Sequence, residues 1–250
     1  MSLNNLGVLA EHEGDYPAAR ALYEESLAIK RQLGDKLGIA TSLNNLGSIA
    51  MAQGDTPAAR LFHEESLALR RELGDRWAIA ASLNHLGRIA AAGGNYPGAR
   101  ALYEEGLAIQ REQEDQLGML FSLGNLADVA HREGDDAAAR RLYGSSLEIA
   151  RDLEDKPGIA TCLEGLAVVA VAQEEPERAT RLFAAATALR DAIGCPPAPG
   201  DVAQHERSAT AARIALGEEA FAAARAAGQA MTMETAIDEA LKVGSSDAQG

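Results

Sequence analysis

The sequence predicts an all-α fold of stacked helix pairs, and three observations carry the prediction. The first is a period of forty residues. Its clearest copy runs Ser42-Leu43-Asn44-Asn45-Leu46-Gly47, then Gly54-Asp55-Thr56-Pro57-Ala58-Ala59-Arg60, then Glu64-Glu65-Ser66-Leu67-Ala68-Leu69. The segments Leu3–Gly7, Leu83–Gly87, Leu123–Ala127 and Leu163–Ala167 repeat its opening in the same phase. A period of this length marks units that bury their apolar faces against neighbours instead of closing one core. The second observation is a beat at half that interval: Gly14-Asp15, Gly34-Asp35, Gly54-Asp55, Gly74-Asp75, Gly94-Asn95 and Gly134-Asp135. Glycine accepts the left-handed conformation that ends a helix, and the acidic or amide side chain beside it caps the next. The third is composition: aromatics are 4% of the chain, alanine and leucine abound, and the β-branched alternation of strands is nearly absent.

Each repeat is therefore read as two helices joined by a tight turn. In the first helix Leu43, Leu46 and Ala50 recur at three- and four-residue spacing and share a face. Gly7, Gly47 and Gly87 lie beside that stripe, replaced by Ala127 and Ala167 in later copies. Glycine within a helix costs about 1 kcal/mol relative to alanine, so this slot is expected to be kept small by a second helix backbone passing close. The second helix carries Ala59, Phe62, Ser66, Leu67 and Leu69, aligned with Ala19, Tyr23, Ser26, Leu27 and Ile29 and with Ala99, Tyr103, Gly106, Leu107 and Ile109. The aromatic is expected to plug the gap between the helices. Pro17, Pro57 and Pro97 follow the turn by two residues, where a helix tolerates a missing N–H. Arg20, Arg60, Arg100 and Arg140 recur near the start of this helix, the first three with Glu24, Glu64 and Glu104 four residues on. Such pairs contribute only about 0.2–0.5 kcal/mol and usually mark a solvated outer face, which is the expectation here over a binding ladder.

The predicted boundaries are five repeats, 1–35, 36–75, 76–115, 116–155 and 156–195, then a helical cap over 196–243 and a disordered tail over 244–250. The fifth repeat keeps Ala179, Phe183 and Ala186, but Glu174-Glu175 replaces its Gly-Asp turn, and the rhythm stops at Cys195-Pro196-Pro197-Ala198-Pro199-Gly200. Helices are expected near 201–216, 218–228 and 232–242, with Gly217 and Gly228 as stops and Thr232 as a start. Terminal units of a solenoid must shield an apolar end from water, which gives these helices their role.

The formal net charge of −14 argues against a nucleic-acid partner, which would be held by many Lys and Arg contacts to phosphate. Cys162 takes the slot of Ser42, Ser82 and Ser122 and is read as a small core filler; Cys195 offers it no disulfide or metal spacing. No charged-then-apolar leader and no membrane-length apolar run occurs, so a reduced cytoplasmic setting is expected. His12, His63, His85, His131 and His205 do not form a metal-binding spacing, and no glycine-framed serine or phosphate loop occurs. No enzyme activity, metal or cofactor is expected. A lone histidine on a helix is read as a polar surface residue.

The series Asn45-Leu46-Gly47, Ala50, Gly54-Asp55, Ala59, Phe62, Ser66-Leu67 resembles the tetratricopeptide repeat, whose small and large positions it matches in order across about four fifths of the chain. The usual repeat has 34 residues and closes with proline. Here Arg31, Arg71 and Arg111 continue the helix and the period is longer, as in the repeats of kinesin light chains and many bacterial regulators. The resemblance implies a right-handed α-α superhelix, with first helices lining a concave groove that binds a protein or peptide segment. Carried over position by position, the groove residues are Asn4, Asn5 and Val8; Asn44, Asn45 and Ser48; Asn84, His85 and Arg88; Gly124, Asn125 and Asp128; Glu164, Gly165 and Val168. One turn further come Glu11, Met51, His131 and Arg132.

Six of the ten slots just before the motif's leucine are asparagine, a mediocre helix former. A carboxamide donates and accepts at once, which suits the backbone of an extended peptide; it suits equally a link between adjacent helices or a local cap. Beyond the repeats, Arg181-Leu182-Phe183-Ala184-Ala185-Ala186, Leu189-Arg190, Ile193-Gly194, Ala215–Phe221 and Ala236-Ile237 resemble the carboxyl end of bacterial signal-transduction ATPases and transcriptional regulators. The expected function is a non-catalytic binding scaffold, the sensor or docking arm of such a regulator. The alternatives are a self-associating structural module, or the regulatory domain of an ATPase whose catalytic part lies outside this chain. Self-association is suggested by Met1-Ser2-Leu3, which begins where Thr41-Ser42-Leu43 does, so that the stretch matching Lys36–Ala40 has no counterpart in the first helix and a second copy or a partner would cover that face.

Overall fold

A computed structural model describes residues 2–197 and 199–242, with only the backbone described at 199–201. The expected disordered tail, 244–250, lies outside the described residues, as does residue 243 of the expected cap. Thirteen helices, and no strand, occur among the described residues: α1 (Leu3–His12), α2 (Tyr16–Leu33), α3 (Lys36–Ala52), α4 (Thr56–Leu73), α5 (Arg76–Ala92), α6 (Tyr96–Glu112), α7 (Gln116–Arg132), α8 (Asp136–Asp152), α9 (Lys156–Ala172), α10 (Pro176–Ile193), α11 (Pro199–Leu216), α12 (Glu218–Gln229) and α13 (Met233–Leu241). They fall into two compact units, Met1–Gly118 and Met119–Gly250.

The turns follow from local chemistry. Gly14, Gly34, Gly54, Gly74, Gly94 and Gly134 all have positive φ, where the missing Cβ removes the steric penalty. The next residue accepts a hydrogen bond from the amide three positions on, as from Ala18 to Asp15 at 3.0 Å and from Gly98 to Asn95 at 3.1 Å. The beat continues where glycine does not. Glu114, Glu154 and Glu174 occupy the left-handed region with φ of 54°, 53° and 61°, a conformation that costs an ordinary residue about 1–2 kcal/mol. Backbone bonds close each of these turns: Asp115 donates to the Gln110 carbonyl at 2.9 Å, Asp155 to that of Ala150 at 2.9 Å and Glu175 to that of Ala170 at 2.8 Å.

In the first unit, successive helices from α1 to α6 pack as neighbours. Ala19, Tyr23, Leu27, Leu43, Leu46 and Ile49 form one buried cluster, and Leu67, Ile79, Ala80, Leu83, Leu86 and Ile109 another. The small slot of the first helix has a different cause from the expected one. A Cβ on Gly7 would stand 2.5 Å from Cε1 of Tyr23, one on Gly47 2.6 Å from Nε2 of His63, and one on Gly87 against the Tyr103 ring. A ring from the second helix, and not a backbone, fills the space. The same geometry corrects the aromatic register. Tyr23, Tyr103 and Tyr143 are buried in one phase, and the second repeat places His63 there, fully buried, while Phe62 lies half-buried beside Ala50 and Ala59.

Buried hydroxyls tie the helices where apolar contact ends. Ser66 donates to the Ala40 carbonyl at 2.8 Å, and Ser146 to that of Leu120 at 2.9 Å. Cys162 is buried with its thiol 3.3 Å from Ser146, and burial pushes its pKa up to about 12, so it remains a protonated core filler. Of the arginine series, Arg20 pairs with Glu24 along its own helix at 2.9 Å. Arg31 and Arg71 reach Glu65 and Glu105 one repeat on, at 2.7 and 2.6 Å.

In the second unit, residues of α7 to α10 share one cluster with Ala236, Ile237 and Ala240 of α13. The end of α13 is held by cations: Arg140 donates to the Lys242 carbonyl at 2.7 Å, and Arg178 to the Ala240 and Lys242 carbonyls at 2.9 and 2.8 Å. These contacts satisfy open carbonyls and oppose the negative end of the helix dipole. Arg140, expected on a solvated face, is instead part of this packing, with a side chain only 12% exposed. Gly228 does not stop its helix but sits inside α12, where a Cβ would run into the Arg181 carbonyl and stand 2.8 Å from Ala184 Cβ. Because the obstacle is backbone, Gly228→Ala should lift α12 from α10 and destabilise the chain by about 1–3 kcal/mol, as overpacking does. A urea titration followed by circular dichroism measures the loss.

Candidate peptide-binding groove

The first-helix positions expected to line the groove divide into two chemically different sets. In the first unit, Asn45 donates its amide to the Asn4 carbonyl oxygen at 3.1 Å, so this pair links α3 to α1. Asn5 is exposed, while Asn44 and Asn84 are half-buried. The Asn44 side-chain oxygen is enclosed and has no partner among the described residues, and its backbone carbonyl accepts from Ser48 at 3.3 Å. Arg88 is exposed and makes no ion pair among the described residues. Ser48, Met51, Ala52, His63, His85 and Arg88 surround a cleft of about 240 Å³.

Two imidazoles dominate that cleft. His63 of α4 and His85 of α5 stack with ring centroids 4.6 Å apart and planes 9° from parallel. His63 is 0% exposed and neither ring nitrogen has a hydrogen-bond partner. An unsatisfied buried donor costs about 1–3 kcal/mol. The tyrosines in the same phase resolve this differently. Tyr23 donates its hydroxyl to Glu11 at 3.0 Å, and Tyr143 donates to Asp128. At the Glu11 position the second repeat has Met51, and at the Asp128 position it has Ser48. The cleft occupies the place where a tyrosine's ring edge and hydroxyl would extend.

Burial lowers the pKa of His63 to about 3, helped by His85, Arg70 and Arg88, and that of His85 to about 4, helped by Arg88 and Arg70. Arg70 is itself buried, donating to the Ala78 carbonyl at 2.8 Å and the Ser82 hydroxyl at 2.7 Å. Both rings are therefore neutral near pH 7. His63 lies in the core, and no ligand spacing in the sequence marks it. Strict forty-residue register, which puts His63 directly under Tyr23 and Tyr103, is the signal that locates it.

In the second unit Asp128, His131, Arg132 and Glu164 are turned to internal partners. Asn125 is half-buried; Asp128 accepts from Tyr143, and His131 meets Asp136 at 2.6 Å. Arg132 donates to Gln204 of α11. Glu164 is buried in a two-pronged ion pair with Arg190, Oε1 to Nε at 2.6 Å and Oε2 to Nη2 at 2.7 Å. Arg190 also donates to the Thr161 hydroxyl at 3.0 Å. Gly165 and Val168 are buried as well. No group of three or more potential metal ligands occurs among the described residues, and no helix there is long and apolar enough to cross a membrane.

Comparison with known proteins fits this repeat geometry. The profile of the Tetratricopeptide repeat family matches residues 1–72, 39–112, 78–152 and 118–192 in overlapping windows. The chain belongs to the tetratricopeptide repeat family. Its members are generally non-catalytic scaffolds that mediate protein interactions. Among solved structures, the fold is similar to BtubC (BKLC) from P. vanneervenii, at 22% identity and a TM-score of 0.67, covering 79% of this chain and 82% of that one. It is also similar to a putative kinesin light chain from Podosopora anserina with nearly identical TPR-like repeats, at 22% identity and a TM-score of 0.62, covering 77% and 95%. The MamA protein follows at 16% identity and a TM-score of 0.51, covering 79% and 96%. At these identities the likeness concerns the fold alone. No curated protein matches the sequence significantly.

Acid should expose the cost of the histidine pair. Their folded-state pKa values lie below the ordinary 6.5, so the unfolded chain binds the extra protons. Their contribution is fully present above about pH 6.5 and is lost as pH falls toward 4 and then 3, at up to about 1.4 kcal/mol per pH unit for each group. His63→Tyr should fill the cleft and flatten this limb. Urea midpoints at pH 7 and pH 4.5 should differ less in the variant than in the native chain.

Proposed function

We propose that the chain is a cytoplasmic, non-catalytic scaffold that holds a protein or peptide segment along its first-helix side chains. It would serve as the regulatory or sensor arm of a bacterial signalling or transcriptional regulator. The observation that carries the binding reading is the unspent chemistry of the first unit. Arg88 offers an exposed guanidinium at a cleft floored by neutral imidazoles, and the Asn44 side-chain oxygen, enclosed one turn before Ser48 of that cleft, has no partner among the described residues. A polypeptide backbone supplies the donors and acceptors that such side chains lack. The cluster is cationic within a chain of net charge −14, so a partner with an acceptor or a carboxylate near Arg88 is favoured locally. The regulatory role rests on the residues Arg181–Ala186, Leu189-Arg190, Ala215–Phe221 and Ala236-Ile237, which resemble the carboxyl end of multidomain regulators.

Replacing both Asn44 and Arg88 by alanine should leave the thermal transition unchanged, since neither residue is fully buried. It should weaken partner retention by about tenfold or more, the scale set by hydrogen bonds to charged groups at ~1.5–3 kcal/mol. The check is quantitative pull-down from the source cell, comparing the proteins held by the native chain and by the double variant. Equal retention would sink the groove reading.

The exposed edge of α1 favours a second reading. Leu6, Val8 and Leu9 are 36%, 37% and 49% exposed on one short helix. Clustered apolar exposure of this kind marks an association surface, and a second copy of the chain would cover it. Sedimentation equilibrium should then show mass rising with concentration, and Leu9→Glu should return it to the monomer value. A monomer at every concentration rules this out.

A further inference from the structure

The helix α11 does not simply continue the stack. It is α12 that packs more closely along α10, through Gly228 and the buried Ala224, while α11 also lies against α9. The positions of α9 that belong to the groove series, Glu164, Gly165 and Val168, are buried, whereas Asn44, Asn45, Asn84 and His85 in earlier repeats are only half-buried. Tyr143 lies on Gly165 and Arg190 encloses Glu164, and residues of α11 line the same cavity as these positions. Gln204 accepts from Arg132, and Gln204 and His205 close a cavity of about 50 Å³ whose other walls include Asp128, His131, Glu164 and Val168. The His205 ring also rests against Phe183, with centroids 5.7 Å apart. Yet α11 is held shallowly. Among its side chains that are described, Ala212 alone is buried, while Val202 and Ile214 are exposed.

A helix joined to the groove positions by the Arg132–Gln204 hydrogen bond, and with a single buried side chain as apolar anchor, is built to come off. We infer that α11 is an internal occupant of the groove at the fourth and fifth repeats. The ligand that displaces it is a helical polypeptide segment presenting an amide and an imidazole side by side, as Gln204 and His205 do. The inference rests on the groove reading and adds to it the form of the ligand and its regulation. A tethered occupant acts at millimolar effective concentration, so an external segment binds detectably only when it outcompetes α11 or when another event releases it.

The test needs no external partner. A fluorescein-labelled peptide of residues 201–216 is titrated into the full chain, into Gln204→Lys, which sets a cation against Arg132, and into Ala212→Glu, which places a charge in the buried anchor. Hydrogen exchange monitors 161–168 and α11. In at least one variant, exchange over both segments should rise about tenfold or more with α10 and α12 still protected. That variant should bind the peptide at least about tenfold more tightly than the native chain, a gain of ~1.4 kcal/mol. Adding Arg132→Ala should abolish the gain. Release of α11 without tighter peptide binding overturns the inference. So does unchanged exchange in both variants, or loss of α10 and α12 protection whenever α11 is freed, because α11 is then an integral part of the fold. None of these failures bears on retention by the Asn44 and Arg88 variant, which tests the groove reading alone.

Discussion

Each of the first three repeats depends on one contact: a ring on the second helix pressed against a residue without a side chain on the first. Tyr23 lies on Gly7, His63 on Gly47 and Tyr103 on Gly87, at separations that leave no room for a Cβ. The contact sets how near the two helices approach, and the leucines on either side pack around that spacing. It also explains why glycine persists inside a helix despite a cost of about 1 kcal/mol. Burial of an aromatic side chain contributes more than that, about 1.5–3 kcal/mol. In the fourth repeat Ala127 replaces the glycine, and Tyr143 instead stands against Gly165 of the next first helix. The ring keeps its place on a residue without a side chain by choosing a different one.

The same contact decides where polar chemistry is free. In the first and fourth repeats the slot tyrosine delivers its hydroxyl to a carboxylate of the first helix, Tyr23 to Glu11 and Tyr143 to Asp128. Both groups are then spent. Histidine in the slot cannot reach so far, and the second repeat carries no carboxylate at either position, so its cleft stays open. Stacking on His85 shields the His63 face but satisfies neither nitrogen. A repeat that loses its internal tyrosine–carboxylate bond gains an opening bordered by Ser48, His85 and Arg88.

What the sequence made legible was whatever is decided locally. The Gly-Asp turns, the prolines at the start of the second helices and the helix spans near the carboxyl end are set by a few adjacent residues, and the structure has them there. Glu114, Glu154 and Glu174 were not legible as left-handed residues, because glutamate has no intrinsic preference for that backbone and only its place in the turn puts it there. Phe62 could be mistaken for the plug because it is the more hydrophobic neighbour; register, not hydropathy, assigns the slot to His63. For the first-helix positions expected to line a groove, the sequence showed the residue types but not their partners. Nothing near Glu164 in sequence announces Arg190, and nothing near Arg132 announces Gln204, because those partnerships form across separate helices.

The buried pair of Glu164 and Arg190 shows how far those states matter. Desolvating two charges costs several kcal/mol, and their attraction offsets this only with good geometry and further hydrogen bonds. Here the geometry is two-pronged and Thr161 takes another guanidinium N–H. Such a pair adds little net stability over an apolar one of the same shape, but it is costly to separate, so it fixes how α10 lies on α9. The carboxylate that the family pattern offers to a ligand is thereby withdrawn from ligands altogether. Arg132, engaged by Gln204, remains recoverable, because its bond is at the surface and its partner helix is shallowly seated. Within the second unit, then, one of the positions expected to face a ligand is committed to the fold while another is tied to a shallowly seated helix, and that difference in depth is the physical basis for the inferred exchange of occupants.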